Sequence, residues 1–234
     1  MIAILLSGAH RSTAAGPDTA ECVVLLHGLG RTRLSMQPLA SYLKKQGYRV
    51  INLGYPSTEY PIEELADFIG EKVEQVSGTQ ASRLHFVTHS LCGIVLRCYL
   101  KKNRPANLGR VVMLGPPNRG SELVDTLSKT FLFSKIYGPA GMKLGTGPDG
   151  VPNQLGPVDF ELGVITGNRS VNPFFSRLIP GEDDGKVSVE GAKVEGMADF
   201  LVVPRSHPFI MNSPEVAEQV VHFIRHGRFR KQGR

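Results

Sequence analysis

Short runs of apolar, often β-branched residues alternate with helical patterns along most of the chain. Continuous apolar runs of this length are typical of strands that are buried on both faces of a parallel sheet. Strands are predicted at residues 21–26, 48–53, 84–88, 110–114, 161–166 and 200–203. Helices are predicted at residues 35–46, 62–76, 91–101 and 214–226, the last with Ser213 as its N-cap. This alternation predicts an α/β fold with a mostly parallel sheet and helices on both faces.

The length of 234 residues suits a single domain over residues 1–234. Residues 115–160 break the pattern with many Gly and Pro, and we expect an irregular insertion there. Segment 116–121 follows a predicted strand, and we expect it to border a pocket at the carboxyl edge of the sheet. One apolar patch in the insertion could form a small lid or belong to the core; it contains Phe131, Leu132, Phe133, Ile136 and Tyr137.

The net charge of +6 is concentrated near the C-terminus. The five basic residues there predict a solvated tail, with attraction to phosphate or anionic lipid as the alternative; they are Arg225, Arg228, Arg230, Lys231 and Arg234. Because the excess is local and basic residues do not alternate with aromatic ones, nucleic-acid binding is not expected. Contact with a membrane surface is compatible with the sequence but not required.

The three cysteines, Cys22, Cys92 and Cys98, all lie in apolar runs and are predicted to be buried thiols. The apolar N-terminus, residues 1–9, is too short to span a membrane and is predicted to be a first strand, with a signal-peptide remnant as the alternative. We favour the cytoplasm slightly over a secreted or periplasmic location.

Ser90 lies between a predicted strand and a predicted helix, in the sequence Thr88-His89-Ser90-Leu91-Cys92-Gly93. A sharp strand-to-helix turn at this position can present a nucleophilic serine above a sheet. Such a turn needs small residues two before and two after the serine, and Thr88 and Cys92 meet this need imperfectly. The alternative is a serine that caps the helix.

The sequence His27-Gly28-Leu29-Gly30 follows the predicted strand at residues 21–26. Acyl transfer requires two N–H groups that stabilise a developing oxyanion. We expect them to come from Leu29 and Leu91. Gly28 would let the loop approach the site, and His27 is expected to brace it. His89 is expected to face away from the reacting atoms.

A serine nucleophile needs a base, and His207 is the histidine that follows a late strand in a loop. The base needs a carboxylate, for which the sequence Gly-Glu-Asp-Asp-Gly-Lys-Val at residues 181–187 offers Asp184, with Asp183 as the alternative. A Ca²⁺ site at these adjacent acids is a further alternative, although their spacing is not that of an EF-hand.

Five segments together resemble the small bacterial lipase and esterase branch of the α/β-hydrolase superfamily: LLHGLGRT, FVTHSLCGI, LGPPNRGSE, DDGKV and SHPFIM. The resemblance extends over about residues 21–226. It implies a serine carboxylic ester hydrolase that needs no cofactor and acts on a small ester or lipid, with chain order Ser90, Asp184, His207. The sequence departs from the Gly-x-Ser-x-Gly pattern of that branch at Thr88 and Cys92.

The short insertion predicts an open site that suits short or medium acyl chains. Two other functions remain compatible with these residues. One is an acyltransferase or thioesterase with the same three side chains, and the other is a binding protein without activity on the same scaffold.

Overall fold

A computed structural model describes residues 21–77, 81–128 and 130–231. Within them, six parallel strands form one sheet in the order β2-β1-β3-β4-β5-β6. The strands are β1 (Cys22–Leu26), β2 (Arg49–Leu53), β3 (Leu84–His89), β4 (Leu108–Leu114), β5 (Leu162–Gly167) and β6 (Asp199–Val203). All six predicted strands are therefore confirmed, with ends that differ by at most two residues, and so is the predicted parallel α/β fold.

Helices pack on both faces of the sheet. They are α1 (Gln37–Lys45), α2 (Ile62–Ser77), α3 (Leu91–Lys102), α4 (Glu122–Leu127), α5 (Phe131–Met142), α6 (Val151–Gln154), α7 (Pro173–Ser176) and α8 (Pro214–His226). Two 3₁₀ helices cover Arg33–Met36 and His207–Asn212.

Strand β1 shows why continuous apolar runs specify a central strand. Cys22, Val24 and Leu26 face the core that contains α2 and α3, whereas Val23 and Leu25 face the core that contains α1 and α8. Since alternate side chains point to opposite faces, both sets must be apolar to be buried. The edge strands β2 and β6 are only partly buried.

The insertion is more regular than the sequence predicted. Residues 115–160 contain the short helices α4, α5 and α6, and α5 is interrupted at Gly138, where φ is 63°. The sequence pattern missed these helices because α4 and α6 are too short to show an apolar period of their own, and α5 is interrupted at Gly138 and contains Pro139. The side chains of Phe131, Leu132, Phe133 and Ile136 lie outside the described part of the chain, so of the predicted apolar patch only Tyr137 is placed.

The C-terminal helix begins where predicted, but Ser213 does not cap it through its hydroxyl. That oxygen accepts a hydrogen bond from Arg205 Nε instead. The following tail is anchored and not simply solvated: Phe229 is buried against Phe223, and the Arg230 backbone exchanges two hydrogen bonds with the Gln219 side chain.

All three cysteines are buried free thiols, as predicted. The predicted N-terminal strand at residues 1–9 lies outside the described residues. In the described ranges, each helix is too short or too polar to cross a membrane.

Candidate active site

The predicted site residues lie at the carboxyl edge of the sheet. Leu29 follows β1, Ser90 follows β3 and His207 follows β6, while Asp184 lies in the long connection after β5. Strand β1 connects to β2 on one side, and β3 lies on its other side. In open α/β sheets, ligands bind outside the carboxyl ends of the strands where the strand order reverses in this way. The topology thus places these residues at the position where a ligand site is expected.

Ser90 occupies a strained turn between β3 and α3. Its φ of 55° and ψ of −128° make it the only non-glycine residue with positive φ in the described ranges. Its hydroxyl makes no capping hydrogen bond to α3, and its Oγ lies 2.9 Å from Nε2 of His207. The capping alternative is therefore wrong. Backbone strain at a non-glycine residue that presents a hydroxyl is typical of a functional turn.

The turn accommodates Cys92 without displacing Ser90. The Cys92 side chain is fully buried and lies near the Tyr55 hydroxyl. Burial raises the pKa of the Cys92 thiol to about 12. Close packing is carried instead by Gly93, where a Cβ would lie 3.1 Å from both Met113 Sδ and Pro116 Cβ. The small residue that this turn requires is therefore one position later than the sequence pattern suggested.

His207 connects Ser90 to Asp184. Its Nδ1 lies 2.7 Å from Asp184 Oδ2, and its backbone N–H donates to the Asp184 carbonyl oxygen at 2.8 Å. The other carboxylate oxygen of Asp184, Oδ1, accepts hydrogen bonds from the backbone N–H groups of Lys186 and Val187. An ionised carboxylate can only accept a hydrogen bond, so the ring proton of neutral His207 lies on Nδ1, which donates to Asp184. Nε2 is then free to accept a hydrogen bond from the serine hydroxyl.

Asp183, the alternative acid, does not contact His207. Its Oδ1 accepts hydrogen bonds from Ser176 Oγ and from the backbone N–H of Gly185. In the described residues there is no group of three or more His, Cys, Asp or Glu side chains placed to hold a metal ion. The geometry therefore gives no support to a Ca²⁺ site at residues 182–184.

His89 holds the backbone of His207. His89 Nε2 lies 3.0 Å from the His207 carbonyl oxygen and must donate to it, which leaves Nδ1 as a buried acceptor without a partner among the described residues. Burial, followed by repulsion from His207, lowers the pKa of His89 well below its ordinary value of 6.5. The prediction that His89 faces away from the reacting serine hydroxyl agrees with this geometry, but its contact with His207 was not foreseen.

His27 and Gly28 fix the loop after β1. The His27 ring stacks on Tyr55 at a centroid distance of 4.4 Å, and the Tyr55 hydroxyl donates to the His27 carbonyl oxygen at 2.7 Å. Burial lowers the pKa of His27, which favours a neutral ring. At Gly28 an added Cβ would lie 2.6 Å from His89 Nδ1, so this position has no room for a side chain.

The N–H groups of Leu29 and Leu91 have no hydrogen-bond acceptor among the described residues. Leu29 lines the cavity next to Ser90, and Leu91 is the first residue of α3, where an N–H has no partner within the helix. Both groups are therefore available to a ligand oxygen.

Gly115, which directly follows β4, was not singled out from the sequence. Its φ is 56°, and an added Cβ would lie 3.0 Å from Asp184 Oδ2 and 3.1 Å from His207 Nδ1. Glycine thus leaves space for the Asp184–His207 pair. A glycine directly after a buried strand was the available signal.

A cavity of about 810 Å³ opens onto Ser90 and His207. Pro117 and Ser121, from the segment expected to border the pocket, contribute to its wall. Much of the remaining wall is apolar and comes from the insertion and the connection after β5: Leu123, Val124, Leu144, Val171 and Phe175. The volume lies within the range of about 300–1,000 Å³ that is usual for small-molecule sites.

No family model and no curated protein sequence matches the chain. Solved structures of bacterial lipases and esterases do match it in three dimensions. The mature lipase BlEst2 of Bacillus licheniformis has a TM-score of 0.67 at 19% identity, with 92% of this chain and 94% of that chain covered. The metagenomic carboxyl esterase MGS0156 has a TM-score of 0.68 at 17% identity, with 88% and 71% covered.

Phospholipase PlaB of Legionella pneumophila has a TM-score of 0.65 at 18% identity, with 87% of this chain matched to 57% of the longer phospholipase chain. Identities this low show the fold alone. The chain therefore has the α/β-hydrolase fold found in bacterial lipases and esterases, as the sequence resemblance implied.

Proposed function

We propose that this protein is a carboxylic ester hydrolase in which Ser90 is the nucleophile, His207 the general base and acid, and Asp184 the carboxylate that orients His207. The observation that carries the proposal is the chain of two hydrogen bonds, 2.9 Å from Ser90 Oγ to His207 Nε2 and 2.7 Å from His207 Nδ1 to Asp184 Oδ2. Ser90 and His207, which form the first of these hydrogen bonds, line a largely apolar cavity.

The reaction proceeds through an acyl-enzyme. His207 Nε2 takes the hydroxyl proton as Ser90 Oγ attacks the ester carbonyl carbon, and the N–H groups of Leu29 and Leu91 stabilise the oxyanion. The C–O bond to the alcohol breaks, and His207 returns the proton to the departing alcohol. Water then attacks the acyl carbon, again with His207 as base, and releases the acid and the free serine.

Asp184 has two roles in this scheme. Its Oδ2 accepts the Nδ1 proton and stabilises the imidazolium that forms, as in other Ser-His-Asp sites. Its Oδ1 is held by the N–H groups of Lys186 and Val187, so the carboxylate cannot rotate away. His89 positions the base by holding the His207 carbonyl oxygen.

The apolar wall supports an acyl chain as the group that enters the cavity. We expect short- to medium-chain esters because the insertion that borders this cavity is short and forms no large cap. Tyr137 of α5 lines the cavity, so the insertion contributes to this boundary.

The test is hydrolysis of 4-nitrophenyl esters from acetate to palmitate by the parent protein, Ser90→Ala and Ser41→Ala. Ser41 is an exposed residue on α1 and serves as a matched control. We expect activity to peak at short or medium chains. Ser90→Ala should lower kcat/KM by at least about a thousandfold, and Ser41→Ala should leave it unchanged.

Undiminished hydrolysis by folded Ser90→Ala would refute the proposal. Absence of turnover by the parent would favour the binding protein. An ester of an added alcohol that forms faster than free acid would instead indicate an acyltransferase.

A further inference from the structure

Lys186 lies in the cavity wall, two residues after Asp184. Its ammonium donates a hydrogen bond to the Tyr137 hydroxyl and lies 5.1 Å from the centroid of the Tyr137 ring and 4.7 Å from that of Phe175. An ammonium group has three donors, and these contacts engage one of them by hydrogen bonding. In the described part of the chain Lys186 has no ion-pair partner. A half-buried cation is thus held in place with donors left for a ligand.

The charge balance of the cavity is positive. Two cations, Arg31 and Lys186, contribute to its wall, and Asp184 is the only carboxylate that does so among the described residues. Asp184 is fully buried, and both of its oxygens are occupied by His207 and by backbone N–H groups. Arg31 likewise has no ion-pair partner in the described ranges.

Two acids near Lys186 in the sequence or the fold, Glu122 and Asp183, do not line the cavity. Glu122 accepts a hydrogen bond from Ser188 Oγ and does not line the wall. Asp183 also lies outside the wall and is bonded to Ser176 and Gly185. The apolar surroundings lower the local dielectric constant, which strengthens the attraction of an anion to Lys186.

We propose that the Ser90 cavity selects esters that carry a negative charge, and that Lys186 is the residue that recognises this charge. This inference rests on the proposed function. The charge can belong to the acyl group or to the alcohol, and the chemistry at Lys186 is the same: a carboxylate or phosphate oxygen accepts a hydrogen bond from the ammonium. Lys186 is thus a determinant of specificity and takes no part in bond breaking.

The test compares two pairs of esters that differ in charge. On the acyl side these are mono-4-nitrophenyl adipate and 4-nitrophenyl hexanoate; on the alcohol side they are 4-carboxyphenyl butyrate and phenyl butyrate. For each protein the measured quantity is the ratio of kcat/KM for the charged ester to that for the neutral ester, after subtraction of the rate with Ser90→Ala. Because the ratio is taken within one protein, a general loss of activity cancels.

We expect Lys186→Met to lower this ratio about tenfold in at least one pair, equivalent to about 1.4 kcal/mol. Lys186→Arg should retain most of the parent's ratio, since it keeps the positive charge, and added salt should lower the ratio of the parent. Lys186→Gln replaces Lys186→Met should the latter fail to fold. Lys193→Met is the matched control, since Lys193 makes a similar contact with the Phe200 ring at 5.3 Å and does not line the cavity.

The pair in which the ratio falls identifies the side of the ester that carries the charge. Equal ratios for the parent and Lys186→Met in both pairs, with neutral esters still hydrolysed, would overturn the inference and leave the proposed function intact. Absence of Ser90-dependent turnover of all four esters would overturn both.

Discussion

At the scale of single residues, the candidate site is made of side chains that meet across long sequence separations. Ser90 and His207 are 117 positions apart, and His207 and Asp184 are 23 apart. Their residue types and their positions after strands could be predicted from the sequence. The sequence favours Asp184 over Asp183 as the partner of His207 but leaves Asp183 open as the alternative, because adjacent residues differ only in the direction that the backbone turns each carboxylate.

The two adjacent acids therefore provide a matched pair. Asp184→Asn should lower kcat about a thousandfold or more, since an amide no longer selects the tautomer with the proton at Nδ1. Asp183→Asn retains an oxygen that can accept from Ser176 and Gly185, so its kcat should stay within about tenfold of the parent. The measurement is kcat for ester hydrolysis by the two purified variants. A larger loss of kcat in Asp183→Asn than in Asp184→Asn would contradict the assignment of Asp184.

His89 makes a prediction about stability in acid. Its folded-state pKa is well below 6.5, so below pH 6.5 the unfolded chain binds a proton at this position that the folded protein does not. The free energy of unfolding must therefore fall as the pH drops below 6.5, by up to about 1.4 kcal/mol per pH unit for this residue. Above that pH both states are neutral at His89, and it contributes no slope.

His89→Gln should reduce the slope of the free energy of unfolding against pH by the equivalent of up to one bound proton, because glutamine does not titrate. Its amide can still donate to the His207 carbonyl oxygen. Urea unfolding of parent and variant between pH 7 and pH 5 measures the two slopes. Identical slopes would mean that the ring of His89 is protonated in the folded protein.

At the scale of elements, the strands and long helices follow from local patterns, whereas the insertion does not. Helix α8 keeps an apolar stripe over 13 residues, and its predicted limits agree with the structure. Helices α4 and α6 have six and four residues. Such short helices are stabilised by contacts with the rest of the molecule, and their sequences carry little periodic signal.

Arg97 on α3 makes contacts of this kind with the insertion. Its guanidinium is almost fully buried and donates to the side chain and carbonyl of Asn118 and to the carbonyl oxygens of Pro152 and Gly156. Burial lowers its pKa to about 10, so it remains charged at neutral pH. One side chain thereby connects the central helix to both ends of the insertion.

Arg97→Met should lower the free energy of unfolding by about 3 kcal/mol, because it leaves several buried carbonyl oxygens without a donor. Lys101→Met, an exposed position on the same helix, should change it by less than about 0.5 kcal/mol. Urea unfolding monitored by circular dichroism gives both values. A cost for Arg97→Met no greater than that for Lys101→Met would show that these hydrogen bonds do not hold the insertion.

At the scale of the whole molecule, the parallel sheet brings the site together. The connections after β1, β3, β4, β5 and β6 all emerge at the carboxyl edge, and each supplies a residue to the site or its wall. This arrangement follows from the fold class, which the sequence predicted. The shape and charge of the cavity depend on how the insertion packs, which local sequence patterns do not encode.

Covalent labelling measures whether Ser90 is an activated nucleophile. A fluorophosphonate probe reacts with a serine whose hydroxyl proton is taken by a neighbouring base. The parent protein and His207→Ala are treated with the probe, digested and analysed by mass spectrometry. We expect one adduct, at Ser90 in the parent, and a large loss of labelling in folded His207→Ala. An unlabelled Ser90, or labelling that does not depend on His207, would contradict this role of Ser90.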